Sequence, residues 1–94
     1  MTLATPTPAE IGRALRISVE VHVLRVMSGL GARDGTYAFM SRIEDASGLS
    51  DMVTNATVSD LIAAEQVAPQ RFEANMIGFT LTPAGATRAE EGGA

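Results

Sequence analysis

Residues 48–85 read GLSDMVTNATVSDLIAAEQVAPQRFEANMIGFTLTPAG. The apolar pattern of this stretch changes period, and that change decides the fold. Gly48 breaks the chain, and Leu49 and Ser50 open a helix to about Glu65. Its inward candidates are Val53, Val58, Leu61 and Ile62. Beyond Gln66 the pattern shortens. Val67–Phe72 and Met76–Leu81 predict two strands around the turn Glu73-Ala74-Asn75. Thr82-Pro83 then starts a last helix through Ala89, with Thr82 as cap and Pro83 at the first helical position.

Upstream, Thr36 is the expected cap of a helix over Tyr37–Ala46. Phe39, Met40 and Ile43 form its apolar stripe, and Arg42, Glu44 and Asp45 face water. Gly29, Gly31 and Asp34-Gly35 mark the loop before it. Residues 17–23 alternate Ile, Val, Val, Val with Ser, Glu and His, which is strand periodicity. The pattern runs on to Gly29, too long for a typical strand, so a helix over Val19–Ser28 is the preferred reading. Thr7-Pro8-Ala9-Glu10 is a capping-box start for a helix over Pro8–Ile17, with Ile11, Ala14 and Leu15 as its buried face. Residues 1–6 and 90–94 are expected to be flexible.

Ninety-four residues suffice for one domain, because two halves would each bury too little. The composition is 46% hydrophobic, with only four aromatics, Tyr37, Phe39, Phe72 and Phe79. A small domain this apolar is expected to bury further surface as a homodimer, through either the N-terminal or the valine-rich helix. The absence of cysteine excludes disulfides, thiolate metal sites and a cysteine nucleophile. No apolar run reaches membrane-span length and no secretory pattern opens the chain, so a cytoplasmic location is expected. All seven basic residues are arginine, and with the alanine and glycine content this suggests a bacterial or phage source. The net charge of −4 weighs against strong, sequence-independent binding of nucleic acid.

Three strings carry a family resemblance. Gly48-Leu49-Ser50 resembles the turn of a helix-turn-helix, and 48–68 matches a common winged-helix pattern without gaps. Phe79-Thr80-Leu81-Thr82-Pro83-Ala84-Gly85 resembles the string that closes the wing in MarR-type and PadR-type regulators, and Tyr37–Ser47 is similar to the second PadR-type helix. The resemblance covers about residues 18–89. It implies a mainly α fold with a small β-hairpin: a winged helix-turn-helix with an extra N-terminal helix. Two departures stand out. Glu65-Gln66 replaces the usual Gly-Leu, and the long MarR-type dimerisation helices are missing.

By that resemblance the expected partner is double-stranded DNA. It would be read by helix 50–65 through Ser50, Met52, Asn55, Ala56 and Ser59, and by wing 67–81 through Arg71. Asn55 suits adenine, and Arg71 a phosphate or the minor groove. Arg42 and Arg33 are candidates for backbone contact. Between Ser50 and Gln66, however, stand three acids (Asp51, Asp60, Glu65) and no arginine. The alternative is therefore a protein partner docked on this acidic helix beside Met52 and Val53.

No constellation for catalysis is present. His22 is the only histidine, and a lone histidine does not make a usual metal site. A place at a core edge or dimer contact is expected of it. Glu44-Asp45 and Glu90-Glu91 are adjacent acids that point apart on a helix. Ser47, Ser50 and Ser59 lack an evident base, and Gly29-Leu30-Gly31 lacks the third glycine of a dinucleotide loop. No enzyme activity, cofactor or metal is expected. Met27, Met40 and Met76 fit core positions, while Met52 points outward.

Overall fold

Thr7 starts the first helix through the predicted capping box. Its hydroxyl accepts from the Glu10 N–H at 3.2 Å, and the Glu10 carboxylate accepts from the Thr7 N–H at 3.4 Å. The computed structural model describes Thr5 and residues 7–91. Its elements are α1 (Pro8–Gly29), β1 (Ala38–Phe39), α2 (Met40–Ser47), α3 (Asp51–Ala63), β2 (Val67–Arg71), β3 (Ile77–Leu81) and α4 (Pro83–Glu91). Met1–Ala4, Pro6 and Gly92–Ala94 lie outside the described residues, and most of the expected flexible ends with them.

The two N-terminal helices expected from the sequence are one helix of 22 residues, about 33 Å long. Nothing between Arg13 and Ser28 stops it, since no glycine or proline intervenes. The valine-rich segment is helical because Val23, Leu24 and Met27 insert fully into the core, which outweighs its β-like alternation. The expected buried face of Ile11, Ala14 and Leu15 is instead exposed. This part of the helix extends beyond the body, and the long axis measures 58 Å against 25 and 22 Å.

The second correction concerns 36–40. Thr36 does not cap a helix. Ala38 and Phe39 form a short strand, and α2 begins at Met40 with Phe39 as its N-cap and no side-chain cap bond. Ala38 is buried opposite Phe79, so edge pairing overrides the local helix signal. The sheet order is β1–β3–β2, all antiparallel, with Val67 opposite Leu81 and Arg71 opposite Ile77. Val67, Phe79 and Leu81 face a core completed by Val23, Leu24, Met27, Ile43, Val58 and Leu61. Of the methionines placed inside by the sequence, Met27 is buried and Met40 packs on the core, but Met76 is half exposed on the wing. No described helix is long and apolar enough to cross a membrane.

The last junction explains the Leu-Thr-Pro-Ala-Gly string physically. The Thr82 hydroxyl accepts from the Gly85 N–H at 3.1 Å and donates to the Glu65 carbonyl at 2.7 Å, while the Thr82 N–H donates to the Gln66 carbonyl at 3.1 Å. Gly85 is obligatory, because a Cβ there would stand 1.9 Å from the Gln66 carbonyl oxygen. Arg88, one turn on, donates to the Glu20 carboxylate at 2.7 Å and to Gln66 Oε1 at 2.8 Å. Glu90 and Glu91 continue α4 two residues past the expected end at Ala89.

Candidate nucleic-acid interface

The helix-turn-helix is built by short polar bonds at its turn. Gly48 takes the left-handed conformation (φ 72°), and its N–H donates to the Glu44 carbonyl at 3.0 Å. The Ser47 hydroxyl donates to the same carbonyl and accepts from the Leu49 N–H at 3.2 Å. Ser50 caps α3 by accepting from the Val53 N–H at 3.3 Å. His22 is exposed and donates from Nε2 to the Ser47 carbonyl at 2.8 Å, tying α1 to the end of α2.

Burial fixes the rotation of α3. Thr54, Thr57, Val58 and Leu61 face the core, and the Thr54 hydroxyl is satisfied by the Ser50 carbonyl at 2.8 Å. Val53, expected inside, is 41% exposed, since the buried face is centred on the two threonines. Successive residues turn by 100°, so Met52, Ala56 and Ser59 form the stripe opposite the core. All are exposed, and Met52 most of all, at 81%.

The candidate readers are not equally available. Ser50 is occupied as the cap. The Asn55 amide donates to the Asp51 carbonyl at 2.7 Å and to Glu44 Oε1 at 3.4 Å. Both amide hydrogens are thus engaged within the chain, and only Oδ1 is unused. Pairing with adenine needs the amide as donor and acceptor together, so Asn55 must first release one internal bond. Around it Glu44, Asp45 and Asp51 gather. Partial burial and the nearby carboxylates of Asp51 and Asp45 raise the pKa of Glu44 above its ordinary 4.5, while the Asn55 amide lowers it in part.

Arg71 ends β2 opposite Ile77, exposed next to the turn at the tip of the wing. The wing tip is a two-residue turn, with Ala74 and Asn75 both at positive φ (56° and 65°) and the Met76 N–H donating to the Glu73 carbonyl at 3.1 Å. Phe72 packs edge-on against Tyr37 at 5.4 Å and against Phe39 at 5.9 Å between ring centres. This wing is therefore short and aromatic. The sequence signal for the cluster was weak, because Phe39 and Tyr37 read as helical residues.

Two arginines are held by carboxylates: Arg33 by Asp34 and Glu90 at 3.8 and 3.6 Å, and Arg88 by Glu20 at 2.7 Å. Arg13, Arg16, Arg25, Arg42 and Arg71 are exposed and make no ion pair among the described residues. Two of these, Arg42 and Arg71, sit on the elements that flank α3 in the chain. Arg33, a sequence candidate for backbone contact, is drawn instead toward α4.

A helix-turn-helix followed by a two-stranded wing and a closing helix defines the winged helix-turn-helix fold. Solved structures share it. BpsR of Bordetella bronchiseptica, whose DNA binding is regulated by 6-hydroxynicotinic acid, matches with a TM-score of 0.67 and 20% identity over 79% of this chain and 54% of its own. A candidate DNA-binding protein of Ralstonia eutropha matches at 0.66 and 24% identity, over 79% of this chain and 93% of its own. A MarR-family transcriptional regulator from Silicibacter pomeroyi matches at 0.63 and 15%, over 86% and 60%. The chain thus corresponds to about half the length of BpsR. No protein-family model and no curated protein sequence matches the chain.

Proposed function

We propose that the chain is a small transcriptional regulator that binds a specific duplex site as a homodimer, with α3 in the major groove and the wing beside it. The observation that carries this reading is the placement of Arg42 and Arg71. They are exposed and without carboxylate partners among the described residues, on the two elements flanking an uncharged outward stripe of Met52, Ala56 and Ser59. Arg42 and Arg71 would hold phosphates, while Asn55 and Ser59 would meet base edges. The DNA-binding relatives in fold support the choice of partner.

Binding to random-sequence duplex pools, at low and moderate salt with sequencing of the bound fraction, tests it. Two phosphate-neutralising arginines per copy give a dimer a salt slope of about −3.6 in log K against log salt. Arg71→Ala should lower affinity on all sequences and reduce that slope by about 1.8. Asn55→Ala should instead relax base preference. No retention of duplex even at low salt would refute the reading.

One observation favours a second reading. Met52 and Val53 are exposed beside Asp51 on a helix with no cation, a surface suited to a basic, apolar protein segment. A partner lost on Met52→Asp and Val53→Asp, with the fold intact, would support it. A partner indifferent to both changes would remove α3 as its interface.

A further inference from the structure

Among the described residues, one buried side-chain polar atom lacks a hydrogen-bond partner: the hydroxyl of Thr80, a residue only 9% exposed. Such a group destabilises the fold unless something outside the chain satisfies it. Phe79 and Leu81 face the core, so strand alternation turns Thr80 to the opposite face of the sheet, which it shares with its cross-strand partner Ala68. On that face Thr80 borders a cleft of about 400 Å³, the size of a small-molecule site.

Three elements enclose the cleft: strands β2 and β3, the turn Arg33–Gly35, and the start of α4. The turn is pinned at both ends, with the Leu81 N–H donating to the Ala32 carbonyl at 2.7 Å and the Thr36 N–H to the Arg33 carbonyl at 3.1 Å. The lining decides the charge of a ligand. An anion needs an unengaged cation or N–H, but Arg33 is flanked by the carboxylates of Asp34 and Glu90. Thr82 engages the Gly85 and Ala86 N–H groups, and Pro83 has none. A cation needs a carboxylate within the walls, whereas Asp34 and Glu90 stand in water at 93% and 71% exposure. Either ion would lose hydration without gaining a partner. What the cleft offers is small apolar side chains, Ala68, Pro83 and Ala86, around one hydroxyl that can donate or accept.

We propose that this cleft binds a small, uncharged, mostly apolar molecule with one carboxamide or similar group, which hydrogen-bonds to Thr80. The residual exposure of Thr80 lies on its other atoms, so a turn of about 120° between staggered positions brings the hydroxyl into the cleft. A carboxamide suits it because it both donates and accepts. The site lies on the sheet face opposite the core into which α3 packs, and it stands whether or not duplex DNA is bound.

The test titrates the full isotope-labelled chain, without DNA, with benzamide, hexanamide and benzoate, following backbone amide signals by NMR. At least one of the two amides should bind with a Kd on the order of 1 mM, the range open to so small a ligand, and shift the signals of Ala68, Thr80 and Ala86. Benzoate, of the same shape as benzamide, should bind at least about 10-fold more weakly than benzamide. Thr80→Val keeps the branched shape and removes the unpartnered hydroxyl. It should hold or raise the urea midpoint and weaken amide binding at least about 5-fold. Ala68→Ile, which fills the cleft from the neighbouring strand, should abolish the shifts; if that variant fails to fold, Thr80→Val still decides. Failure of both amides to bind would overturn the proposal, as would shifts confined to another part of the chain. Amide binding indifferent to Thr80→Val would remove Thr80 as the contact, and benzoate binding as tightly as benzamide would overturn the uncharged class.

Discussion

Gly85→Ala is expected to be the most damaging single-methyl change in the described molecule. A Cβ on residue 85 would stand 1.9 Å from the Gln66 carbonyl oxygen, 2.9 Å from its carbon and 3.3 Å from its Cα. These are backbone atoms and cannot rotate away. Ordinary contact between carbon and oxygen needs more than 3 Å, so the start of α4 must move off β2 by over about 1 Å. That shift stretches the Thr82–Gln66 bond of 3.1 Å and the Arg88 bonds of 2.7 and 2.8 Å to Glu20 and Gln66. Overpacking of this kind costs about 1–3 kcal/mol, and each weakened bond adds about 1 kcal/mol. The expected loss is about 3–5 kcal/mol, a large fraction of the stability of a domain this size. Thermal and urea unfolding followed by circular dichroism would read it as a fall in Tm of about 15–30 °C. Gly12→Ala is the control: it has nothing within 4 Å on an exposed helical backbone, and should be neutral or stabilising by up to about 1 kcal/mol. A loss below about 1 kcal/mol for Gly85→Ala would refute the argument that the junction is fixed by this approach.

Arg88→Ala should cost about 2–3 kcal/mol in urea unfolding, because the poorly exposed Glu20 carboxylate and the Gln66 amide lose their partner together; a loss under 0.5 kcal/mol would reduce the triad to a surface contact. Glu65→Gly should stabilise by about 0.5–1 kcal/mol, since Glu65 holds φ 60° where glycine is unstrained, and a destabilised variant would show that the Glu65 side chain offsets that strain. Glu44 has a raised folded-state pKa, so its ionisation opposes folding. The penalty is absent below the ordinary 4.5, grows as pH rises above it, and is complete above the folded value. Glu44→Gln should therefore raise stability at neutral pH and flatten the rise in stability seen on acidification toward 4.5. Identical pH profiles for the variant and wild type would discount the carboxylate cluster.

The parts of the fold legible in the sequence are those fixed by local chemistry. Gly48 as the tight bend, the start of α3 at Leu49-Ser50, Thr82-Pro83 opening α4 and the strand pair around Glu73–Asn75 each act within a few residues, and each stands where it was expected within a residue or so. What was illegible depends on distant partners. Ala38 became a strand residue because β3 presented an edge, and that partner lies forty residues away. Val53 and Ile11 looked inward because apolar residues at helical spacing usually mark a core face. For Val53 two buried threonines took the place, and for Ile11 no body lies alongside. The candidate site was legible in outline and not in detail. Exposure of Met52, Ala56 and Ser59 follows from the helix period, but the internal bonds that hold the Asn55 amide, and the acid cluster beside it, require α2 and α3 to be packed together.

The scarcity of cations shapes what the proposed duplex binding would look like. A regulator with many arginines on its reading helix gains most of its affinity from phosphates and holds any duplex. With only Arg42 and Arg71 on the elements that flank α3 in the chain, the sequence-independent share of the proposed duplex binding would be small, and Asp51, Asp60 and Glu65 would subtract from it. On that reading, base edges, apolar contact from Met52 and Ala56 with thymine methyl groups, and duplex shape would supply the remainder. Each contact is worth too little for one copy to hold a site. In the homodimer proposed above, two such faces would meet one duplex, and the second would engage at the high effective concentration set by the first. On this account a monomeric variant loses specific binding almost wholly while each domain stays folded. On the proposed reading, the cation-poor face of α3 would offer weak, selective half-sites that only pairing of two copies makes useful.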